Sequence, residues 1–143
     1  VRALIEAKAT VDHARPDGST ALMSASSHGH VECVRALIEA KATVNRARPD
    51  GWTALMSASQ DGHIECVRAL IEAKATVDHA RPDGWTALMV ASGDGHDECV
   101  RALIEAKANV HLRLNGSGIT ALDIRVGHCA ISRPLRMRTS FVE

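Results

Sequence analysis

A 33-residue period is the feature that most constrains how this chain folds. The turn-like segment Arg-Pro-Asp-Gly that begins at Arg15 recurs twice, each time 33 residues further on. The units over 15–47 and 48–80 are identical at 27 of 33 positions, and the units over 48–80 and 81–113 differ at seven. A period of this length is typical of a solenoid, in which each unit buries its apolar face only against its neighbours.

Each unit has the pattern of a turn followed by two helices. Pro fixes its own φ and Gly accepts a positive φ, so Arg-Pro-Asp-Gly favours a turn. In the first unit Thr20 then stands as the N-cap of a short helix, which Gly29-His30 ends. A longer amphipathic helix begins at Val31. We predict short helices over 20–28, 53–61 and 86–94, and longer helices over 30–40, 63–73 and 96–106.

Composition and charge exclude several classes of partner. The net charge is zero, with 17 Lys and Arg residues against 17 Asp and Glu residues. Residues 1–112 carry 12 basic against 15 acidic side chains, and residues 113–143 carry five against two. No global field therefore favours nucleic acid or a membrane, and no apolar run approaches the ~20 residues of a membrane span. We expect neither nucleic acid nor a membrane as partner.

The repeated motifs resemble those of the ankyrin repeat. Each of the two Trp-bearing units contains Gly-Trp-Thr-Ala-Leu-Met followed by Leu-Ile-Glu-Ala-Lys-Ala, with a Gly-His break between the helices. The resemblance implies an all-α ankyrin-repeat solenoid of stacked helix-turn-helix units, with inner and outer helices and projecting hairpin-like loops. It divides the chain into an outer-helix remnant over 1–14, repeats over 15–47, 48–80 and 81–113, and a degenerate C-terminal repeat with a basic tail over 114–143.

Two departures from the family pattern bear on stability. Met23 and its two copies replace the His whose imidazole ties neighbouring loops together in the family. Lys41, Lys74 and Lys107 stand where the family prefers a left-handed Gly. A non-Gly residue that keeps this conformation costs roughly 1–2 kcal/mol. We expect these repeats to be less stable than their regularity suggests.

The two ends of the chain depart further from the repeat. The chain begins at Val1 inside the outer-helix pattern, and we expect it to be a piece of a longer protein. The last unit begins regularly at Ile119, but Pro134 falls where its second helix should continue. This unit is either a worn cap or a sequence that drifts out of the fold. Its arginines either keep it in solution or contact an acidic partner or nucleic acid.

The recurring His-x-x-Cys pattern does not predict a metal site. Each unit offers two ligands, such as His30 and Cys33, whereas structural zinc needs four. Packed helices lie ~8–10 Å apart, and a disulfide needs Cα atoms within ~7 Å. We predict that Cys33, Cys66 and Cys99 are buried, reduced and unliganded. Free thiols suit a reducing compartment, so we expect an intracellular and cytoplasmic protein without cofactors.

The function implied by the resemblance is protein–protein interaction by a monomeric scaffold. No phosphate-binding Gly-rich loop and no Gly-x-Ser-x-Gly motif is present, and we predict no enzyme activity. The alternatives are a structural spacer without a ligand, or a regulatory or targeting segment of an enzyme whose catalytic domain lies elsewhere. The predicted partner-binding residues occupy loops and the exposed inner-helix face, where the family is variable. They are Asp17, Ser19, His28, Asp50, Trp52, Gln60, Asp61, Asp83, Trp85 and Asp94.

Two questions about these residues stay open at the level of sequence. Trp52 and Trp85 are either interface anchors, as aromatic residues on loops often are, or staples between adjacent repeats. The aspartates either attract a partner that carries a basic patch or form a solvated acidic face without a ligand.

Overall fold

The computed structural model of this protein describes residue 3 and residues 10–126. Within these residues it contains seven helices, and its β-structure is confined to isolated bridges. The helices are α1 (Ala21–Ser27), α2 (Val31–Glu39), α3 (Ala54–Gln60), α4 (Ile64–Glu72), α5 (Ala87–Gly93), α6 (Asp97–Glu105) and α7 (Ala121–Val126). The predicted all-α repeat fold is confirmed. Most of the predicted remnant over 1–14, and Pro134 with the rest of the basic tail, lie outside the described residues.

The short helices begin where a threonine satisfies their first free N–H groups. Thr20 is extended, and its hydroxyl accepts a hydrogen bond from the backbone N–H of Met23 at 3.3 Å. The same bond joins Thr53 to Met56 and Thr86 to Met89, also at 3.3 Å. The three predicted N-caps are therefore confirmed.

The helices form two layers with the core between them. The inner helices α1, α3, α5 and α7 pack side by side, and the outer helices α2, α4 and α6 form the second layer. Leu and Met side chains of the inner helices meet Val and Leu side chains of the outer helices in this core. Ala58 and Ala91 are fully buried between neighbouring inner helices, because small side chains permit a close approach.

The turns between helix pairs form hairpin-like loops, as expected from the family pattern. An isolated antiparallel bridge joins Ala14 to Thr20, and equivalent bridges join Ala47 to Thr53 and Ala80 to Thr86. Inside the first hairpin the N–H of Arg15 donates to the carbonyl oxygen of Ser19 at 2.9 Å. Each hairpin therefore projects the residues at its tip away from the helical layers.

Histidines tie successive repeats together at a second contact point. Nε2 of His63 donates to the carbonyl oxygen of Ser27 at 3.0 Å, and Nε2 of His96 donates to that of Gln60 at 2.8 Å. Met23 is buried in the core. The imidazole that the family places at position 23 is thus absent, but other imidazoles link the repeats.

Glycine makes this approach of the histidine possible. Gly29 has a φ of +72°, and a Cβ at this position would lie 2.6 Å from Nδ1 of His63. Gly62 stands in the same relation to His96, with a φ of +74° and a Cβ distance of 2.5 Å. A side chain at either position would have to push the next repeat away.

The lysines at the ends of the outer helices adopt the left-handed conformation that the sequence pattern suggested. The φ angles of Lys41, Lys74 and Lys107 are 66°, 66° and 68°. Each lysine therefore carries the strain expected of a residue with a Cβ in this region.

The cysteines of the outer helices differ in their burial. Cys66 and Cys99 are buried, each 1% exposed, and burial raises the pKa of both thiols, that of Cys99 to about 11. Cys33 is only half-buried, so its predicted burial is wrong. Cys33 lies on α2, the first outer helix of the range 10–126, whereas the helices of Cys66 and Cys99, α4 and α6, each pack against a preceding outer helix in that range.

The contact between Gly29 and His63 makes a prediction about stability. Gly29→Ala should lower the free energy of unfolding by at least about 1–2 kcal/mol, because Ala must adopt a positive φ and displace the imidazole. Gly93→Ala is the matched control, since Gly93 is helical and its Cβ would meet Ile124 at 3.8 Å. That change should leave stability unaltered or raise it by up to about 1 kcal/mol. Urea unfolding followed by circular dichroism measures both, and equal midpoints would contradict this account.

The burial of the thiols makes a prediction about reactivity. Alkylation by iodoacetamide at about pH 8 requires a thiolate, so a raised pKa and burial should both slow it. In a Cys129→Ser background, Cys33 should react first, and Cys66 and Cys99 should react slowly until urea is added. Mass spectrometry of tryptic peptides reads the order. Equal rates at the three positions in the folded protein would show that the outer helices open freely.

Candidate functional site

The candidate site is the surface formed by the hairpin tips and the C-terminal ends of the inner helices, here named the inner face. It comprises the ten residues predicted from the sequence. Asp17, Ser19, Asp50, Trp52, Asp83 and Trp85 lie in the hairpins, and His28, Gln60, Asp61 and Asp94 lie at the ends of α1, α3 and α5. In the third repeat the two sets meet, because the Trp85 ring reaches to within 3.9 Å of where a Cβ of Gly93 would lie.

The hairpin aspartates hold the turns that carry them. Oδ1 of Asp50 accepts the backbone N–H of Trp52 at 3.1 Å, and its Oδ2 lies 3.3 Å from the guanidinium of Arg48. The same arrangement recurs around Asp83, whose carboxylate lies 3.1 Å from Arg81. The negative charge of these two residues is therefore largely offset within their own hairpins.

In the first hairpin Asp17 has the same role beside Ser19. Its Oδ1 accepts the backbone N–H of Ser19 at 2.9 Å. Hydrogen bonds from Ser19, with smaller contributions from Arg15 and Arg48, lower the pKa of Asp17. Asp17 therefore stays ionised and keeps its turn in place.

The aspartates at the helix ends are differently placed. Asp61 and Asp94 are the C-caps of α3 and α5, and both side chains are exposed. Neither carboxylate forms an ion pair with another residue in the range 10–126. A negative charge at the C-terminus of a helix opposes the helix dipole, so these two residues do not serve the stability of their own helices.

At the equivalent position the first repeat has a histidine. Nδ1 of His28 lies 2.8 Å from the carbonyl oxygen of Ser24, and its ring stacks on His30 with centroids 6.0 Å apart. The helix end of this repeat is therefore occupied by its own side chain. The inner face changes in chemical character between the first repeat and the next two.

Trp52 is held from both sides by the protein itself. Its Nε1 donates to the hydroxyl of Ser57 at 2.9 Å, and Ser57 in turn donates to the carbonyl oxygen of Thr53 at 3.1 Å. The guanidinium carbon of Arg81, in the next repeat, lies 5.2 Å from the centroid of the Trp52 ring. This distance is typical of a cation–π contact, so Trp52 links two adjacent hairpins.

Trp85 has the same backbone setting but different neighbours. Its N–H donates to Asp83 at 3.2 Å, as that of Trp52 does to Asp50. Residue 90 is Val where Trp52 has Ser57, and residue 114 is Leu where Trp52 has Arg81. The side chain of Trp85 is half-buried. The two tryptophans are therefore chemically distinct, although their repeats are nearly identical.

Sequence reasoning missed the two partners of Trp52. The sequence pattern assigns no distinct role to Ser57 and places Arg81 only at the start of a turn. A signal was present, because the exchange of Ser57 for Val90 is one of only seven differences between the two Trp-bearing units. The sequence could not show that Arg81, which belongs to the following repeat, lies over the ring of Trp52.

The described residues do not form other reactive clusters on this surface. Within residue 3 and residues 10–126 no group of three or more His, Cys, Asp or Glu side chains is placed to hold a metal ion. The same residues contain no helix that is long and apolar enough to cross a membrane.

Comparison with known families agrees with the architecture. The family model for ankyrin repeats in three copies matches residues 1–81, and the model for a single ankyrin repeat matches residues 83–115. A comparison with curated proteins finds no match. Ankyrin repeats are generally protein-interaction modules and are typically non-catalytic. With well over half of its residues matched, the chain belongs to the ankyrin-repeat family.

Proposed function

We propose that this chain is a protein-interaction module that binds its partner through the inner face. The observation that carries the proposal is where the nearly identical repeats differ. Of the six differences between units 15–47 and 48–80, three fall on the inner face or directly beside it, namely Ser19/Trp52, Ser27/Gln60 and His28/Asp61. Of the seven differences between units 48–80 and 81–113, one lies there, Gln60/Gly93. Each exchange alters the chemistry that this surface offers to a ligand.

The outer helices provide the contrast. Glu32, Arg35 and Glu39 are exposed and recur unchanged in both later repeats. Residues spaced three and four apart on a helix support each other through weak ion pairing. Exposed positions that repeat without change suit a solvated exterior, whereas the exchanges on the inner face suit the recognition of a particular partner.

The charges of the inner face suggest what kind of partner fits. Asp61 and Asp94 place exposed carboxylates at the negative ends of α3 and α5. Because these negative charges oppose the helix dipole, Lys or Arg side chains of a partner would offset the unfavourable electrostatic interaction. We therefore infer a protein partner with a basic patch.

We infer no catalytic role for the described residues. Two of the serines that recur on the inner helices bond to their own helices, since Oγ of Ser26 donates to the carbonyl oxygen of Leu22 at 2.7 Å and that of Ser92 to the carbonyl oxygen of Leu88 at 2.8 Å. A nucleophilic serine needs an adjacent base instead. The free thiols of Cys33, Cys66 and Cys99 suit a reducing, intracellular compartment.

A structural spacer is the second candidate, and one observation favours it. Trp52 is bound on its N–H by Ser57 and on its ring face by Arg81, so this indole already stiffens the array. If both tryptophans served only in this way, the array would set the distance between other parts of a protein without binding a ligand.

Site-specific crosslinking tests the proposed function. A photoreactive amino acid at position 60, on the inner face, should capture a protein in cells of native origin. The same amino acid at position 72 is the control, because Glu72 is equally exposed on an outer helix. Adducts at position 60 alone are expected.

Two substitutions then decide between interaction and spacing. At least one of Trp52→Ala and Trp85→Ala should weaken the captured complex by more than ~1 kcal/mol, and Arg68→Ala should not. If both tryptophan changes lower the urea midpoint and spare affinity, the spacer function replaces this proposal. Absence of an adduct at position 60 would also overturn it.

A further inference from the structure

The two Trp-bearing repeats hold the same indole in two different states. We propose that Trp85, which lies on the inner face together with the exposed residues Asp61 and Asp94, binds an arginine side chain on an extended segment of the partner. The proposal rests on the protein-interaction function and assigns its central contact. It is carried by the comparison of Trp85 with Trp52 inside one molecule.

Trp52 demonstrates the chemistry that this position supports. Its indole N–H meets an acceptor, Oγ of Ser57 at 2.9 Å, and its ring face meets a guanidinium, Cζ of Arg81 at 5.2 Å. The electron-rich face of Trp is the best aromatic acceptor for a cation, and Arg is its most frequent partner. In the second repeat both binding functions of the indole are thus satisfied by the protein.

In the third repeat, the residues that bind the indole N–H and the ring face of Trp52 are both replaced. Val90 replaces the serine, and the indole Nε1 of Trp85 forms no hydrogen bond with another residue of the described range 10–126. Leu114 replaces the arginine. An arginine supplied from outside would restore the interaction that Arg81 makes with Trp52.

A third exchange removes a side chain beside the ring. Gly93 stands where the second repeat has Gln60. The nearest atoms to an added Cβ at Gly93 would be Cγ2 of Ile124 at 3.8 Å and the far edge of the Trp85 ring at 3.9 Å. Residue 93 therefore places no side chain against the edge of the Trp85 ring, whereas the second repeat has Gln60 at this position.

The surrounding charge selects a cation. Arg48 and Arg81 are each paired with the aspartate of their own hairpin, while Asp61 and Asp94 are exposed and form no ion pair in the range 10–126. The same carboxylates would repel a phosphate, so a nucleic acid does not fit this surface. Arg suits it better than Lys because a planar guanidinium can stack on the ring and still donate hydrogen bonds to carboxylates.

The spacing of the repeats indicates the form of the ligand. Asp61 and Asp94 occupy equivalent positions on α3 and α5, and packed helices lie about 8–10 Å apart. A segment in the extended polyproline II conformation has three residues per turn and rises about 3.1 Å per residue, so side chains three residues apart lie on one face at about the same distance. A segment with a basic residue at every third position would therefore meet successive repeats in register.

Tryptophan fluorescence tests this assignment in the full chain. The probe is a capped 12-residue peptide in which Arg-Ser-Gly is repeated four times, and its control replaces each Arg by the uncharged isostere citrulline. Trp85 is the sole tryptophan in Trp52→Phe, and this protein should show a saturable fluorescence change with the arginine peptide. The citrulline peptide should bind at least about tenfold more weakly if the cation carries the contact.

Substitutions separate the contact from general charge and from folding. Isothermal titration calorimetry measures the affinity of the variants without the Trp85 fluorophore. Trp85→Ala, Asp61→Asn and Asp94→Asn should each weaken binding at least about threefold, whereas Glu72→Gln on an outer helix should not change it. Gly93→Gln copies the second repeat and fills the space beside the ring. It should weaken binding while leaving the urea midpoint equal or higher.

Three results would overturn the inference. They are equal binding of the arginine and citrulline peptides, equal binding of an acidic Glu-Ser-Gly peptide, and unchanged affinity in Trp85→Ala. If position 60 still captures a protein in such a case, the interaction function stands and only its assignment to an arginine at Trp85 fails. If no protein is crosslinked at position 60 and the arginine peptide does not bind, both proposals fail.

Discussion

The stacking of the repeats depends on how closely the next repeat can approach the backbone of the one before it. At Gly29 and Gly62 the chain turns with a positive φ, and the ring of the following histidine occupies the place of the missing Cβ. Gly18 does the same for the hairpins, because its Cβ would lie 2.6 Å from Cδ of Pro49. These approaches bring the small inner-helix residues into contact, and the continuous core follows from that spacing.

The elements could be predicted from the sequence because their determinants are local. A threonine before an apolar run and a Gly-His break after it are sufficient to place each inner helix, and the structure agrees within a residue or two at each end. Contacts between repeats could not be predicted in the same way. The burial of Cys33 was predicted wrongly from its place on one helix, and the loss of the family imidazole at residue 23 did not indicate that other histidines would bond between the repeats.

The candidate site was predicted in its location but not in its internal differences. The variable positions of the repeat identified the inner face, and two alternatives remained for the tryptophans. The structure gives Trp52 an acceptor and a cation, and both depend on atoms that become neighbours only after folding. A repeat protein can thus acquire a distinct surface chemistry from a few exchanges such as Ser57 to Val90, while the core that positions this surface stays the same.

The hydrogen bonds between repeats join residues that lie about one repeat apart in the sequence. The histidine ties join residues 36 apart, and the ties from Asn45 to Thr76 and from Asp78 to Asn109 span 31. Since no such bond within residues 10–126 skips a repeat, a duplication or deletion of one whole 33-residue unit recreates these junctions from groups already present. The gene can therefore change the length of the array in a single event of unequal recombination without inventing a new interface. The near identity of the three units is what such growth leaves behind.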